Sequence, residues 1–171
     1  MKYVITGGPC VGKSTTLGVL ESRGFSVVPE AARDVIARES KREGGILPWT
    51  DFCGFQQLVL VLQLEREKDA PAGAFCDRGV LDGRAYCRVN GIEVPRELAE
   101  VEHGYARVFL LSPLERFVSD AERYEKDPAL ARRLHDELAS VYYEAGYDLV
   151  QVPLLSPDER ASFILAQLRI G

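Results

Sequence analysis

Histidine and cysteine are sparse in this chain of 171 residues, and their spacing carries no chemistry of its own. The two histidines, His103 and His135, stand far apart, and Cys10, Cys53, Cys76 and Cys87 form no C-x-x-C pair. Neither a structural zinc site nor a disulfide framework is indicated, so a reduced, cytoplasmic setting is expected. Basic residues are in the minority: 21 Lys and Arg against 26 Asp and Glu give a net charge of −5. Without a basic stripe, nucleic acid is not an expected partner, and an anionic ligand must be met by local cations. No apolar run approaches the roughly 20 residues of a membrane span. Met1-Lys2 leads straight into the first apolar run, so neither signal nor anchor is expected. Repeats, linkers and low-complexity tracts are missing too. The length suits one core, and residues 1–171 read as one domain.

What the chain does have is Gly7-Gly8-Pro9-Cys10-Val11-Gly12-Lys13-Ser14, which fits the phosphate-loop pattern G-x-x-x-x-G-K-[ST]. Glycines let backbone N–H groups curl around phosphate oxygens, and the helix that follows, opening through Thr15, adds partial positive charge. Lys13 can reach the β- and γ-phosphates, and the Ser14 hydroxyl can ligate Mg²⁺. Such a loop implies binding of a nucleoside triphosphate through Gly7 to Thr15. An ordinary glycine-rich turn is the alternative, and it has no need of Gly12, Lys13 and Ser14 together.

The surrounding pattern alternates strands and helices. Tyr3-Val4-Ile5 reads as the first strand and Thr15 to Leu20 as a helix stopped by Gly24. Phe25 to Val28 is a second strand, and Pro29-Glu30 open a helix from Ala31 to about Arg42. Gly44-Gly45 and Pro48 break it, and Trp49 is expected to anchor the following loop. Thr50 or Asp51 caps a segment running to about Asp69, with Phe52, Phe55, Val59 and Leu62 on one stripe. Leu58 to Leu62 reads equally as a strand by propensity, but no turn residue appears before Pro71, which favours a helix. Gly73 to Asp77 and Arg107 to Leu111 are further strands, with helices at about Leu81 to Val89 and near Pro95 between them. Charged helical segments at about 114–124 and 129–145, a fifth strand from Asp148 to Val152 and a final helix close the chain. This alternation implies an α/β fold with a parallel sheet covered on both faces.

In such a sheet ligands bind beyond the carboxyl ends of the strands. Asp77 ends the third strand, where it can hold Mg²⁺ or cap the next helix. Arg78 can meet a substrate phosphate or hydroxyl, or pair with a neighbouring helix. Glu30 and Arg33 follow the second strand, and Glu30 is a candidate general base for an attacking hydroxyl. A solvated first-turn glutamate is the other reading. Arg116 and Arg123, seven residues apart, lie in a segment at about 113–128 that could close as a lid over phosphates. They can equally form surface ion pairs with Glu115, Asp120, Glu122 and Glu125.

The phosphate loop, Val27-Val28-Pro29-Glu30, Phe55-Gln56 and Asp77-Arg78-Gly79 occur in the order found in deoxynucleoside kinases and thymidylate kinases. With Leu47-Pro48-Trp49, the Asp120-x-Glu-Arg123 lid motif and Gly146 to Val150, the whole chain resembles AAA-type ATPase and kinase-like domains related to the ribosylnicotinamide kinase domain. The resemblance implies a three-layer P-loop NTPase fold with five parallel strands in the order 2-3-1-4-5. It implies that Glu30 activates a hydroxyl, that Gln56 reads a nucleobase, and that Asp77-Arg78 matches the Asp-Arg pair of thymidylate kinases. The lid departs from deoxynucleoside kinases, with fewer closely spaced arginines and more acidic residues.

The function expected is a Mg²⁺- and ATP-dependent phosphotransferase acting on a hydroxyl or phosphate of a small metabolite, such as a nucleoside or nucleoside-like compound, with GTP as another donor. Lys13, Glu30, Asp77 and Arg123 would be catalytic; Arg33, Gln56, Arg78 and Arg116 would hold the acceptor. A nucleotide-binding regulator or slow NTPase is the alternative. A Ras-like switch fits poorly, because Asn-Lys-x-Asp and Asp-x-x-Gly are missing. A scaffold that merely kept the loop would have no use for Lys13, Ser14 and Asp77.

Overall fold

The computed structural model of the protein describes residues 1–113 and 128–168. The chain runs β1 (Lys2–Thr6), α1 (Lys13–Ser22), β2 (Val27–Val28), α2 (Ala31–Glu39), α3 (Phe52–Asp69), β3 (Phe75–Asp77), α4 (Asp82–Val89), α5 (Arg96–Ala99), β4 (Tyr105–Leu111), α6 (Pro128–Glu144), β5 (Leu149–Val152) and α7 (Pro157–Leu168). The strands form one sheet in the order β2-β3-β1-β4-β5, every pairing parallel. The expected α/β fold and strand order are both present. β1 lies at the centre, with Ile5 in register with Asp77 of β3 and Phe109 of β4.

Alternation along the strands feeds two cores. Val4, Val28, Cys76, Val108 and Leu110 face α3, α4 and α6, where Leu60, Leu81, Leu134 and Leu138 meet them. Ile5, Phe75, Phe109 and Val152 face α1 and α7, packing on Leu17, Leu20, Ala161 and Ile164. Burying one such side chain contributes about 1.5–3 kcal/mol. Both faces being covered explains why these strands are almost wholly apolar.

The ambiguous run Leu58 to Leu62 lies inside α3, whose N-cap Asp51 accepts the Gly54 N–H at 2.9 Å. The face it buries carries Phe55, Gln56, Leu60 and Gln63. That is offset from the apolar stripe read from sequence: Phe52, Val59 and Leu62 are only partly buried, while the polar Gln56 and Gln63 lie on the buried face. β2 is shorter than expected: Phe25 leaves the strand to set its ring edge-on to Phe75, 5.6 Å between centroids. Helix α2 stops at Glu39 rather than near Arg42. The loop after it is not anchored by Trp49, which is 58% exposed. The buried Glu39 does this instead, accepting the Ile46 N–H and pairing with Arg38 and Arg42. No helix among the described residues is long and apolar enough to cross a membrane.

Candidate active site

A cavity of about 940 Å³ lies at the carboxyl end of the sheet, with the phosphate loop as its floor and α2, α3, α4 and α6 around it. The loop between β1 and α1 has Cys10 and Gly12 at positive φ, 57° and 86°. Gly12 is also the N-cap of α1 and supplies no side-chain cap, so the first N–H groups of that helix are left for an anion. Thr15 and Thr16 both donate to the Gly12 carbonyl, at 2.8 and 3.0 Å, which pins the turn. Pro9 through Thr15 line the cavity.

Lys13 is buried, and its Nζ donates to the carbonyls of Gly7 and Gly8, at 3.1 and 3.0 Å. Burial and the charge of Arg78 lower its pKa from 10.5 to about 8, against the opposing pull of Asp77, Glu30 and Asp82. A lysine so depressed is poised to gain from an incoming phosphate, which would favour its charged form.

Glu30 ends the β2 connection as the N-cap of α2, yet its carboxylate does not cap the helix. It bridges two arginines instead: Arg78 Nε at 2.8 Å and Arg33 Nε at 3.1 Å. Burial pushes the Glu30 pKa upward, but the charges of Arg78 and Lys13 outweigh it and hold the carboxyl at about 2. Arg78 follows β3 in the left-handed region, φ 72°, and its guanidinium lies 5.1 Å from the Tyr86 ring centre. Its Nη1 donates to Asp82 at 3.2 Å and to the Gly7 carbonyl at 3.4 Å, so one side chain ties Glu30 and Asp82 to the phosphate loop.

Asp77 is buried beside Lys13, and its Oδ1 has no hydrogen-bond partner. Burial raises its pKa. An orphaned buried carboxylate oxygen is an uncomfortable group unless a cation joins it. Ser14, in the first turn of α1, is exposed to the cavity. These two residues fit Mg²⁺, which takes one or two protein oxygens and keeps phosphate and water for the rest.

Away from the loop the cavity wall is apolar, with Phe52, Phe55, Val59, Leu60, Val89 and Leu98. Gln56 is buried in that wall, its Oε1 3.1 Å from where a Cβ on Gly83 would stand. The structure thus brings together Lys13, Ser14, Glu30, Arg33, Gln56 and Arg78 around one space. Asp77 does not line it but interacts with Lys13 at its edge; Arg116 and Arg123 lie outside the described residues, as does most of the segment expected to form a lid.

Sequence reasoning missed the support behind Arg78. Asp82 is buried and accepts four hydrogen bonds: from Thr6 Oγ1 and Tyr142 Oη, each at 2.6 Å, and from Arg78 Nη1 and Gly79 N, each at 3.2 Å. Tyr105 Oη donates to Glu67 at 2.9 Å and accepts the Val80 N–H at 2.8 Å. These hydroxyls explain Gly79, since a Cβ there would sit 2.6 Å from Tyr142 Oη and 2.9 Å from Tyr105 Oη. Asp82, five residues past Asp77, looks in sequence like a plain first-turn acid. Only the sheet order reveals that Thr6 lies beside it.

This fold and loop define a phosphate-loop domain of the kinase type. Within that class the chain belongs to the AAA domain family, which it matches over residues 2–160. No curated protein is similar enough in sequence to count as a match. Among solved structures, deoxyadenosine kinase from M. mycoides with bound dATP is similar with a TM-score of 0.69 at 16% identity, covering 99% of both chains. Thymidylate kinase from Ehrlichia chaffeensis gives 0.68 at 12%, covering 98% of both chains. Shikimate kinase from Aquifex aeolicus gives 0.61 at 16%, over 99% of this chain and 96% of that one.

Proposed function

We propose that this protein is a Mg²⁺- and ATP-dependent phosphotransferase that acts on a hydroxyl or phosphate of a small metabolite, with nucleosides and nucleoside-like compounds the first class to test. One observation carries the reading: Glu30 and Arg78, from the ends of β2 and β3, converge above the phosphate loop in a cavity whose far wall is apolar and carries the Gln56 amide. A nucleotide switch or simple NTPase needs no such second compartment. The three similar structures are kinases named for three different acceptors, so the fold leaves the acceptor to be found by experiment.

In this reading the N–H groups at the start of α1 and the Lys13 ammonium hold the transferring phosphate. Ser14 and Asp77 would hold Mg²⁺, which would neutralise charge on the phosphate oxygens. Arg78 and Arg33 orient the acceptor, and a Glu30 oxygen takes the proton of its hydroxyl. Since the Glu30 pKa is held at about 2 in the free protein, it is a weak base until the acceptor displaces an arginine from it. Positioning therefore supplies the larger part of the rate, as a loose phosphoryl-transfer transition state allows. Arg123 and Arg116 belong to the same proposal as lid residues.

The test is ADP or GDP release with ATP·Mg²⁺ and GTP·Mg²⁺ against nucleosides, nucleoside monophosphates, shikimate-like polyols and ribosylnicotinamide, with Lys13→Ala as the blank. Release stimulated by one acceptor names the substrate. Tight nucleotide binding with no stimulation by any acceptor would favour a nucleotide-binding regulator or slow NTPase.

A further inference from the structure

Arg160 stands in the first turn of α7, 4% exposed, behind the phosphate loop rather than in the cavity. Its Nη1 donates to the Val11 carbonyl at 2.5 Å and lies 2.9 Å from where a Cβ on Gly12 would be. Its Nε is buried without a partner. The acids next to it in sequence are turned elsewhere, Asp158 to Arg23 and Glu159 to Ser156. No carboxylate among the described residues pairs with this guanidinium, which cannot lose its proton. Its location is adverse in a second way, since the positive ends of α1 and α7 lie on either side of it. A buried cation without a countercharge is unfavourable in the ligand-free protein.

We propose that Arg160 is a positioning residue for polyphosphate, a cation set behind the loop whose countercharge is the bound anion. The proposal rests on the nucleotide-binding reading of the loop. Two effects follow from the geometry. Because the peptide between Val11 and Gly12 is trans, drawing the Val11 carbonyl backward turns the Gly12 N–H toward the cavity. And because no carboxylate among the described residues neutralises the guanidinium, its field adds to that of Lys13 and the helix N-terminus and favours ligands of higher negative charge. The Gly12 contact shows why the arrangement demands glycine there: any side chain would displace the guanidinium from the loop.

The experiment compares wild type, Arg160→Met and Arg160→Lys in ligand-free urea unfolding and in calorimetric titration with ATP, ADP and AMP in EDTA. For Arg160→Met the ligand-free midpoint stays or rises, ATP affinity falls about tenfold, ADP several-fold and AMP less than twofold. Arg160→Lys, which keeps the charge, recovers ATP affinity to within about threefold of wild type. A merely structural arginine gives the opposite signs: a Met variant that unfolds earlier, or does not fold, overturns the proposal. So does a loss equal for ATP and AMP, or no loss at all. If wild type itself binds none of the three, the nucleotide reading of the loop falls and takes this proposal with it.

Discussion

Replacing Asp82 by Asn tests the support behind Arg78, because the substitution keeps shape and removes one acceptor and the charge. The wild-type carboxylate accepts on Oδ1 from Tyr142 Oη and Gly79 N, and on Oδ2 from Thr6 Oγ1 and Arg78 Nη1. The two hydroxyls can rotate to accept from an amide, but the N–H of Gly79 and the guanidinium of Arg78 cannot. Whichever way the new amide is flipped, its NH₂ faces one of those donors. Placed on the Oδ2 side, the NH₂ removes a hydrogen bond to a charged group, worth ~1.5–3 kcal/mol, and points a donor at a buried cation. Placed on the Oδ1 side, it orphans a buried N–H, at ~1–3 kcal/mol, and the weakened pairing of Arg78 adds to that.

The expected loss is therefore about 3 kcal/mol in urea unfolding, with an unchanged m-value. Thr6→Val and Tyr142→Phe each remove one donor to the Asp82 carboxylate and should lose about 1.5–3 kcal/mol. A double-mutant cycle of Asp82→Asn with Tyr142→Phe should show coupling, since the two residues share one hydrogen bond. An Asp82→Asn variant within about 0.5 kcal/mol of wild type, or one additive with Tyr142→Phe, refutes the network as described. Both readouts are stabilities of the ligand-free protein, so neither depends on which acceptor the site takes.

Three further outcomes follow from the site. Lys13→Ala should abolish ATP binding in calorimetry while leaving the ligand-free unfolding midpoint within a few degrees of wild type; retained binding would remove the phosphate loop from the reading. Glu30→Gln should lower phosphotransfer by roughly 10²-fold with nucleotide affinity within about twofold, measured by single-turnover assay once the acceptor is known. Glu30 also gives a pH signature: its pKa in the folded protein is about 2 against an ordinary 4.5, so the unfolded chain binds the extra proton between those values. The stability it contributes is complete above about pH 5 and is lost as pH falls toward 2, and in Glu30→Gln that part of the acid limb should be flatter.

The loop, the strand ends and the sheet are readable in the sequence because each is a local pattern: glycines before Lys13, an apolar run ending on Asp77, apolar strands closed by turn residues. What is not readable comes from contacts between distant segments. Trp49 has the look of an anchor because tryptophan usually buries well, whereas Glu39 takes that place through a backbone N–H and two arginines that no spacing rule connects. The apolar stripe on α3 does not coincide with its buried face, which takes in Gln56 and Gln63; Gln63 donates to the Arg78 carbonyl, a partner that no periodicity reveals. Arg160, just after two acids and ahead of an apolar helix, is indistinguishable in sequence from a solvated charge. The fold reverses that reading by packing α7 on α1, directly behind Val11.

Helix α6 crowds two glycines that are far apart in sequence. At its start the Ala131 carbonyl lies 3.2 Å from where a Cβ on Gly8 would stand; eleven residues on, Tyr142 Oη lies 2.6 Å from the Cβ position of Gly79. At 1.5 Å per residue Ala131 and Tyr142 are about 16 Å apart along the helix axis, and Leu130 and Leu134 near its start form part of the cavity wall. The helix is held on α4 by Arg88, whose ion pairs with Glu137 and Glu144 are on the surface and contribute little individually. Most of its hold comes instead from Leu134, Leu138, Val141 and Tyr142 in the core. A rigid element packed this way cannot move at the phosphate loop without moving at Asp82, and Asp82 sets Arg78, which sets Glu30. The phosphate loop and the Glu30–Arg78 pair are thus both tied to α6, and if the proposed phosphotransfer is right, a substitution that loosens the helix, such as Leu138→Ala, should disturb both nucleotide affinity and acceptor turnover although it lines neither part of the cavity.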